Sequence, residues 1–399
     1  MFRVERTHRS RFIAKAVAIG ASAALLASVG IQSASAAEVS GAGIRTSAHA
    51  TKSPTVDHDG FATFHISAPT AKTVTVTGNW GPSASNVTSA LSNALPGAPA
   101  SATWDGIVGP LSPGVYSYTL TIDGTQARDP RNPNVVHSSP LLTTFIVNSR
   151  SSLVSNHKNA KHGKLSTLTY TSDVTKTERK AIVWTPPGYT SKKTYPTFYL
   201  VHGGGGDYLD WVQQGGAKQI LDNLYTAKKL KPMVVVMPDG NIPGGTDVPT
   251  KDQFPRELLD NIVPAVQAHY SVSKLASKRA YAGLSYGGFQ VYNTVLTHPG
   301  AFKYIGVFSS SLFQPVQDAL NGELKALVSK AAVKRINHKT KVFRIYIGNK
   351  TDIAYPGNKS TLPFLKSKGI HFTFDGVGTT GHNWNTWQRN LIDFAPRLF

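Results

Sequence analysis

The sequence contains no cysteine. That absence excludes disulfides, a thiol nucleophile, thiolate-bound zinc, iron–sulfur clusters and an acylated lipoprotein cysteine. Acidic residues are scarce: 22 Asp+Glu stand against 42 Lys+Arg, a formal charge of +20. Beyond the amino-terminal segment no apolar run approaches the roughly 20 residues that a membrane-spanning helix needs. There is no internal repeat, and no Gly-Lys-Ser/Thr follows a glycine-rich loop as a nucleotide site would require. What is present argues for a folded chain, since 40% of residues are hydrophobic and 10% aromatic. A length of 399 residues accommodates two or three domains.

Part of the charge belongs to the first residues. Arg3, Arg6, Arg9, Arg11 and Lys15, with only Glu5 against them, precede an Ala/Val/Ile/Leu run from Ala16 to Ile31, and Ala34-Ser35-Ala36 follows. A basic start, a short apolar centre and small residues at a cleavage point describe a secretory signal peptide over 1–36, cut near Ala36. A transmembrane anchor is the alternative, but the run is short and rich in Ala and Gly. Loss of five basic residues and one acidic residue leaves +16 on a mature protein expected outside the cell, with no stable membrane insertion. The remaining Lys and Arg are spread through both domains without a binding motif, so no nucleic-acid partner is expected.

Residues 37–57 read as a flexible leader rich in Ser, Thr, Ala and Gly. Residues 58–148 read as a small all-β sandwich of immunoglobulin-like kind. Lys72–Thr77 and Val115–Ile122 alternate with period two, and Asp123-Gly124 supplies a turn. Residues 149–163 read as a linker. From 164 to 399 apolar runs at Thr197–Val201, Met233–Met237, Tyr281–Leu284, Tyr304–Phe308 and Val342–Ile347 alternate with helical patterns. That alternation implies a mainly parallel sheet with helices on both faces. Pro264 within the helical pattern Glu257–His269 is expected to bend the helix or start a new turn. Asp318 and Glu323 read as solvated helix charges. Asp57-His58-Asp59 has metal-ligand residue types, but lies in the polar leader. Nothing indicates a metal or a cofactor.

The chemistry centres on Gly283-Leu284-Ser285-Tyr286-Gly287-Gly288. The strand-like Arg279–Leu284 precedes it and the helix-like Phe289–Leu296 follows. A nucleophile elbow needs that strand–turn–helix setting, because glycines relieve the strained turn that lifts the hydroxyl above the sheet. A serine needs a base oriented by a third group, in the chain order Ser, acid, His. His382, in Gly381-His382-Asn383-Trp384, follows the last apolar run, His371–Phe374, and is the candidate base; His371 and His338 are the alternatives. Asp352, after the strand Val342–Ile347, is the candidate acid, with Asp375 as rival. An oxyanion needs backbone donors in a dry pocket. The amide of Tyr286 is one candidate, and Gly204 in His202-Gly203-Gly204-Gly205-Gly206 is the other. His202, Trp211, Trp384 and Trp387 are the candidates for touching substrate, the tryptophans being otherwise core residues.

These pieces resemble, in order, the esterase D / carbohydrate esterase family 1 group of α/β-hydrolases, which includes feruloyl and acetylxylan esterases. The matching segments are Tyr199–Gly206, Val236-Met237-Pro238-Asp239-Gly240, Gly283–Gly288, Gly348…Asp352 and Gly381–Trp387. The resemblance implies nucleophile, acid and base roles for Ser285, Asp352 and His382. It departs in the acid loop, where three residues rather than two separate Gly348 from Asp352. Val76-Thr77-Gly78-Asn79-Trp80 and Asp129–Asn134 resemble an early-set, glycogen-binding-like module, whose Trp80, Trp104 and Tyr116 would either stack on sugars or pack the core. The expected activity is that of a secreted serine esterase removing feruloyl or acetyl groups from ester-decorated polysaccharides. A mycolyl-type acyltransferase, a siderophore-ester hydrolase and a non-catalytic surface-binding protein are the alternatives. The His202-Gly203 pair counts against the acyltransferase, since the resemblance implies Asp-Gly there.

Overall fold

The computed structural model describes residues 52–93, 102–244, 251–312 and 325–399. The signal segment 1–36, most of the leader, and Asp318 and Glu323 lie outside the described residues. Among the described residues no helix is long and apolar enough to cross a membrane.

The first part of the described chain is all strand. It comprises β1 (Thr55–Val56), β2 (Ala62–Ser67), β3 (Val74–Gly78), β4 (Val87–Ala90), β5 (Thr103–Val108), β6 (Gly114–Ile122), β7 (Thr125–Ala127), β8 (Val135–Val136) and β9 (Ser139–Val147). They form two antiparallel sheets, ordered β1-β2-β5 and β4-β3-β6-β9-β8, with β7 on β6. The period-two pattern explains how both sheets reach one core: Phe64 and Ile66 from β2, Val76 from β3, Tyr118 and Leu120 from β6, and Phe145 from β9 are all buried together. One expectation changes here. Thr55 and Val56, placed at the end of the leader, pair with Thr63 and Ala62. Of the three aromatic residues left open between sugar stacking and core packing, Trp104 and Tyr116 face inward and Trp80 is half-buried beside Phe64. Trp104 is 6% exposed and donates its indole N–H to the Ala68 carbonyl, and Tyr116 stacks on Phe145 with ring centroids 5.6 Å apart.

The second part holds β10 (Lys164–Thr171), β11 (Glu178–Thr185), β12 (Thr197–Val201), β13 (Val234–Pro238), β14 (Arg279–Leu284), β15 (Tyr304–Phe308), β16 (Val342–Ile347) and β17 (Thr373–Val377). They make one eight-stranded sheet, β10-β11-β13-β12-β14-β15-β16-β17, antiparallel at the first two pairings and parallel thereafter. The helices are α1 (Asp210–Gln213), α2 (Ala217–Thr226), α3 (Phe254–Arg256), α4 (Val263–His269), α5 (Tyr286–Thr297), α6 (Lys330–Lys339), α7 (Tyr355–Ser367) and α8 (Trp384–Phe394). Alternate residues along each central strand face opposite helix layers. Tyr199 and Val201 pack with α4, α5, α6 and α7; Phe198 and Leu200 pack with α1, α2 and α8. A strand buried on both faces must be apolar at every position, which is why these runs do not alternate in sequence. The last strand begins at Thr373, two residues later than the apolar run at His371 suggests. Pro264 sits at the start of α4, and a π-turn over Glu257–Ile262 joins α3 to it.

That π-turn carries a fully buried carboxylate. Glu257 accepts from Tyr170 Oη at 2.8 Å and Ser172 Oγ at 2.5 Å, and Arg179 Nε lies 3.2 Å away. Arg179 also donates to the Asp239 carbonyl at 2.7 Å, so the pair connects the sheet edge to the turn after β13. Removing Glu257 leaves the buried guanidinium with only the more distant Asp239 carboxylate, 3.8 Å away, a loss of about 3–5 kcal/mol. Glu257→Ala should therefore cost that much in urea unfolding; a loss below about 1 kcal/mol would show that solvent reaches Arg179.

The stretch from 149 to 163 is anchored to the second part. Val154 and Ser155 are buried, and Asn223 Nδ2 donates to the carbonyls of Leu153 and Ser155 at 2.8 and 2.9 Å.

Candidate active site

Ser285 occupies the turn between β14 and α5 with φ 50° and ψ −119°. Its amide donates to the Phe308 carbonyl at 2.9 Å, which pins the turn to β15. The flanking glycines are sterically required. A Cβ built on Gly283 would lie 2.4 Å from the Gly287 carbonyl, and one on Gly287 would lie 2.2 Å from the His202 carbonyl oxygen. The elbow and the glycine-rich loop after β12 are thus in backbone contact.

His382 and Asp352 come to Ser285 from the ends of other strands. His382 Nε2 is 2.8 Å from Ser285 Oγ, and its Nδ1 is 2.7 Å from Asp352 Oδ1. Asp352 is 1% exposed and accepts from the Gly348 amide at 2.9 Å and the Ala354 amide at 2.9 Å. Burial works against ionisation of this carboxyl. The hydrogen bond and charge of His382 outweigh burial, helped by the Ser309 hydroxyl and the Ala354 amide, and hold it below the usual carboxylate range. The extra residue of the acid loop is absorbed in a turn closed by the Asp352 amide on the Asn349 carbonyl at 3.0 Å. Asn383 caps α8 by accepting from the Thr386 amide, so His382 is the residue immediately before the cap. The ring order Ser, His, Asp can draw a proton from the hydroxyl to Nε2 while Nδ1–H stays on the carboxylate.

Asp375, the rival acid, is elsewhere. It lies in β17 and pairs with Arg344 of β16, whose Nε donates to Asp375 Oδ2 at 2.8 Å. His338, in the last turn of α6, and His371, whose amide is held by Asn337, are likewise apart from the Ser285 hydroxyl.

His202 is 2% exposed, and both ring nitrogens are engaged. Nε2 accepts from the Gly240 amide at 2.8 Å, which places the proton on Nδ1, and Nδ1 donates to the Gly203 carbonyl at 2.7 Å. A trans peptide with its carbonyl turned toward His202 points the next amide, that of Gly204, the other way. A Cβ on Gly204 would lie 3.8 Å from Tyr286 Cβ, so the two candidate oxyanion residues are neighbours. The expectation that His202 touches substrate is corrected: its ring is occupied in orienting the loop.

For two of the tryptophans the structure takes the core alternative. Trp211 is 1% exposed and donates to the Val201 carbonyl at 3.0 Å, and Trp387 is 8% exposed. Both belong to the core between the sheet and helices α1, α2 and α8, while Trp384 is half-buried. The rings run edge to face, Trp211 to Trp384 at 5.4 Å, Trp384 to Trp387 at 5.0 Å, and Trp387 to His382 at 5.1 Å. Trp387 thus buttresses the imidazole, a role that sequence spacing gives no means of seeing.

A family model described as an esterase matches residues 172–398. The xylanase/feruloyl esterase of Xylanibacter ruminicola is 29% identical over 359 residues, which is 87% of this chain and 46% of that protein. The chain thus spans less than half the length of that relative. An acetyl esterase of Caldicellulosiruptor saccharolyticus is 24% identical, covering 49% of this chain and 80% of the relative. Among solved structures, a ferulic acid esterase of Anaeromyces mucronatus aligns with TM-score 0.52 at 22% identity, over 64% of this chain and 98% of that one. The enterobactin esterase of Shigella flexneri aligns with TM-score 0.57 at 15% identity, over 84% of this chain and 92% of that one. These structural likenesses are likenesses of fold.

Proposed function

The chain belongs to the esterase family, and from that premise we propose that it is an exported serine carboxylic-ester hydrolase that removes feruloyl or acetyl groups from plant-type polysaccharides or their oligomers. The observation that carries the reading is the continuous hydrogen-bonded set Ser285 Oγ, His382 and Asp352, at 2.8 and 2.7 Å. Ser285 Oγ attacks the ester carbonyl as His382 Nε2 takes its proton. Asp352 holds the imidazole in the tautomer whose Nε2 is free to accept, and stabilises the imidazolium. The amides of Tyr286 and Gly204 stabilise the oxyanion. His382 then protonates the leaving alcohol, and water, deprotonated by the same nitrogen, releases the acid and restores Ser285.

The feruloyl and acetyl preference is supported by the names of the relatives, and the net positive charge suits polymers bearing uronic acids. Residues 58–148 are read as an early-set β-sandwich module. Export is read from residues 1–36, and the mature protein recovered from medium should begin after Ala36; a full-length chain there would refute cleavage. The deciding experiment is hydrolysis of methyl ferulate, acetylated xylan and p-nitrophenyl acetate by the purified protein, with fluorophosphonate labelling at Ser285. Absence of both hydrolysis and labelling would remove the enzyme reading in favour of a surface-binding protein, and acyl transfer to trehalose outrunning hydrolysis would make it a transferase. A siderophore-ester hydrolase is the second reading, supported by the 84% of the chain that aligns with the enterobactin esterase. Preference for a catecholate ester over methyl ferulate would establish it.

A further inference from the structure

The glycine-rich loop that follows β12 has few side chains of its own to hold it. Four consecutive glycines, Gly203 to Gly206, carry more backbone freedom than any other residues, and Gly205 uses it at φ +76°. A loop that is to present an amide to a developing oxyanion must nevertheless be fixed beforehand, because donors that reorganise during the reaction lose most of their effect. Two restraints come from within the α/β part. His202 holds the Gly203 carbonyl, and Asn241 Nδ2 donates to the Gly206 carbonyl at 2.7 Å.

The third restraint comes from the β-region. The segment leaving the loop carries Asp207, Asp210 and Gln213, spaced three apart so that they share one face of α1 and of the turn that enters it. All three are held by the turn between β8 and β9. Ser138 Oγ donates to Asp210 Oδ1 at 2.6 Å. The His137 amide donates to Gln213 Oε1 at 2.8 Å, and Gln213 Nε2 returns a bond to the Val135 carbonyl at 3.0 Å. The His137 ring bonds Asp207 and meets Tyr208 edge to face. Asp210 is 5% exposed, and its other oxygen lies against Gly206, 2.2 Å from where a Cβ there would be. The Asp210 carboxylate therefore bridges a serine of the β-region to the last glycine of the loop.

We propose that Ser138 and His137 are positioning residues for the oxyanion loop, so that the β-region is a component of the reaction centre and not a detachable sugar-binding appendage. The proposal rests on the reading of Ser285 as nucleophile and Gly204 as oxyanion donor. Neither Ser138 nor His137 touches the reacting atoms; both act through Asp210, Asp207 and Gln213.

The test uses p-nitrophenyl acetate, a substrate too small to need a polysaccharide-binding surface, and the full-length protein. Ser138→Ala is expected to lower kcat about tenfold with KM changed by less than about twofold, and to slow fluorophosphonate labelling of Ser285 by the same factor. Ser138→Thr keeps the hydroxyl and should recover most of the rate. Gln213→Ala, which cuts the parallel contact, should give the same signature and serves if Ser138→Ala does not fold. Val76→Ala makes a cavity in the β-region core away from the turn; it should lower the melting temperature but leave kcat unchanged below the transition. Wild-type kcat and labelling in Ser138→Ala and Gln213→Ala would overturn the proposal, as would an equal loss of kcat in Val76→Ala. A wild-type protein that neither hydrolyses the ester nor labels would instead remove the underlying assignment of Ser285.

Discussion

Replacing Ser285 with alanine is expected to lower kcat on aryl esters by roughly 10⁴- to 10⁶-fold, with the fold intact. The three groups act as one unit, so loss of the hydroxyl leaves only what the oxyanion amides and binding supply. Glycine at the same position separates activity from stability. At φ 50° and ψ −119° the backbone of Ser285 is in a region that side chains disfavour and glycine tolerates. Ser285→Gly should be as inactive as Ser285→Ala yet melt higher, by the equivalent of about 1 kcal/mol. The strain is then the cost of presenting a hydroxyl above the sheet. Full activity in either variant would refute the nucleophile assignment. An unchanged or lower melting temperature in Ser285→Gly would refute the strain.

The second large effect distinguishes the two acids. Asp352→Asn should reduce kcat by roughly 10³- to 10⁴-fold, because an amide can meet Nδ1 with its N–H and leave the proton on Nε2, where it blocks attack. Asp375→Asn should change kcat by less than about twofold, since it breaks only a partly exposed pair with Arg344. The reverse outcome would transfer the acid role to Asp375. Stability against pH gives an independent reading. The Asp352 carboxyl is held below its unfolded value. Its contribution to stability is therefore complete above the unfolded pKa and is lost as pH falls through the lower, folded one. Asp352→Asn should remove that part of the acid-side decline, and an unchanged decline would mean the carboxylate is not held by His382.

Much of this arrangement is legible in the amino-acid sequence. The elbow could be read because its requirements are local: an apolar strand, glycines on both sides of the serine, and a helix. Asp352 could be favoured over Asp375 because chain order and strand ends are one-dimensional properties. The reason Asp375 is unavailable is two-dimensional. Arg344 is in register with Thr373, and Asp375 lies two residues further along the same face, so it meets the guanidinium. The burial of Trp211 was not legible. Aromatic residues near a catalytic motif look the same whether they face a cleft or the layer beneath it, and α1 is too short to show a periodicity. His202 could be recognised as part of a loop motif, but its tautomer depends on the Gly240 amide, 38 residues away. The contacts of Ser138 with Asp210 span 72 residues and carry no local signal.

At the outer rim of the large sheet, the pairing of β16 with β17 falls out of step between Ile345 and Ile347, and Gly376 turns the strand at φ +78°. β17 is five residues long, with a charged side chain at Asp375. An open strand edge is a template for another chain, and a short, irregular, charged one is a poor template. A second molecule meeting this rim finds only a five-residue strand, broken by a glycine turn, to pair with. Protection from fibrous self-association is thus built into the strand that leads to the loop bearing His382.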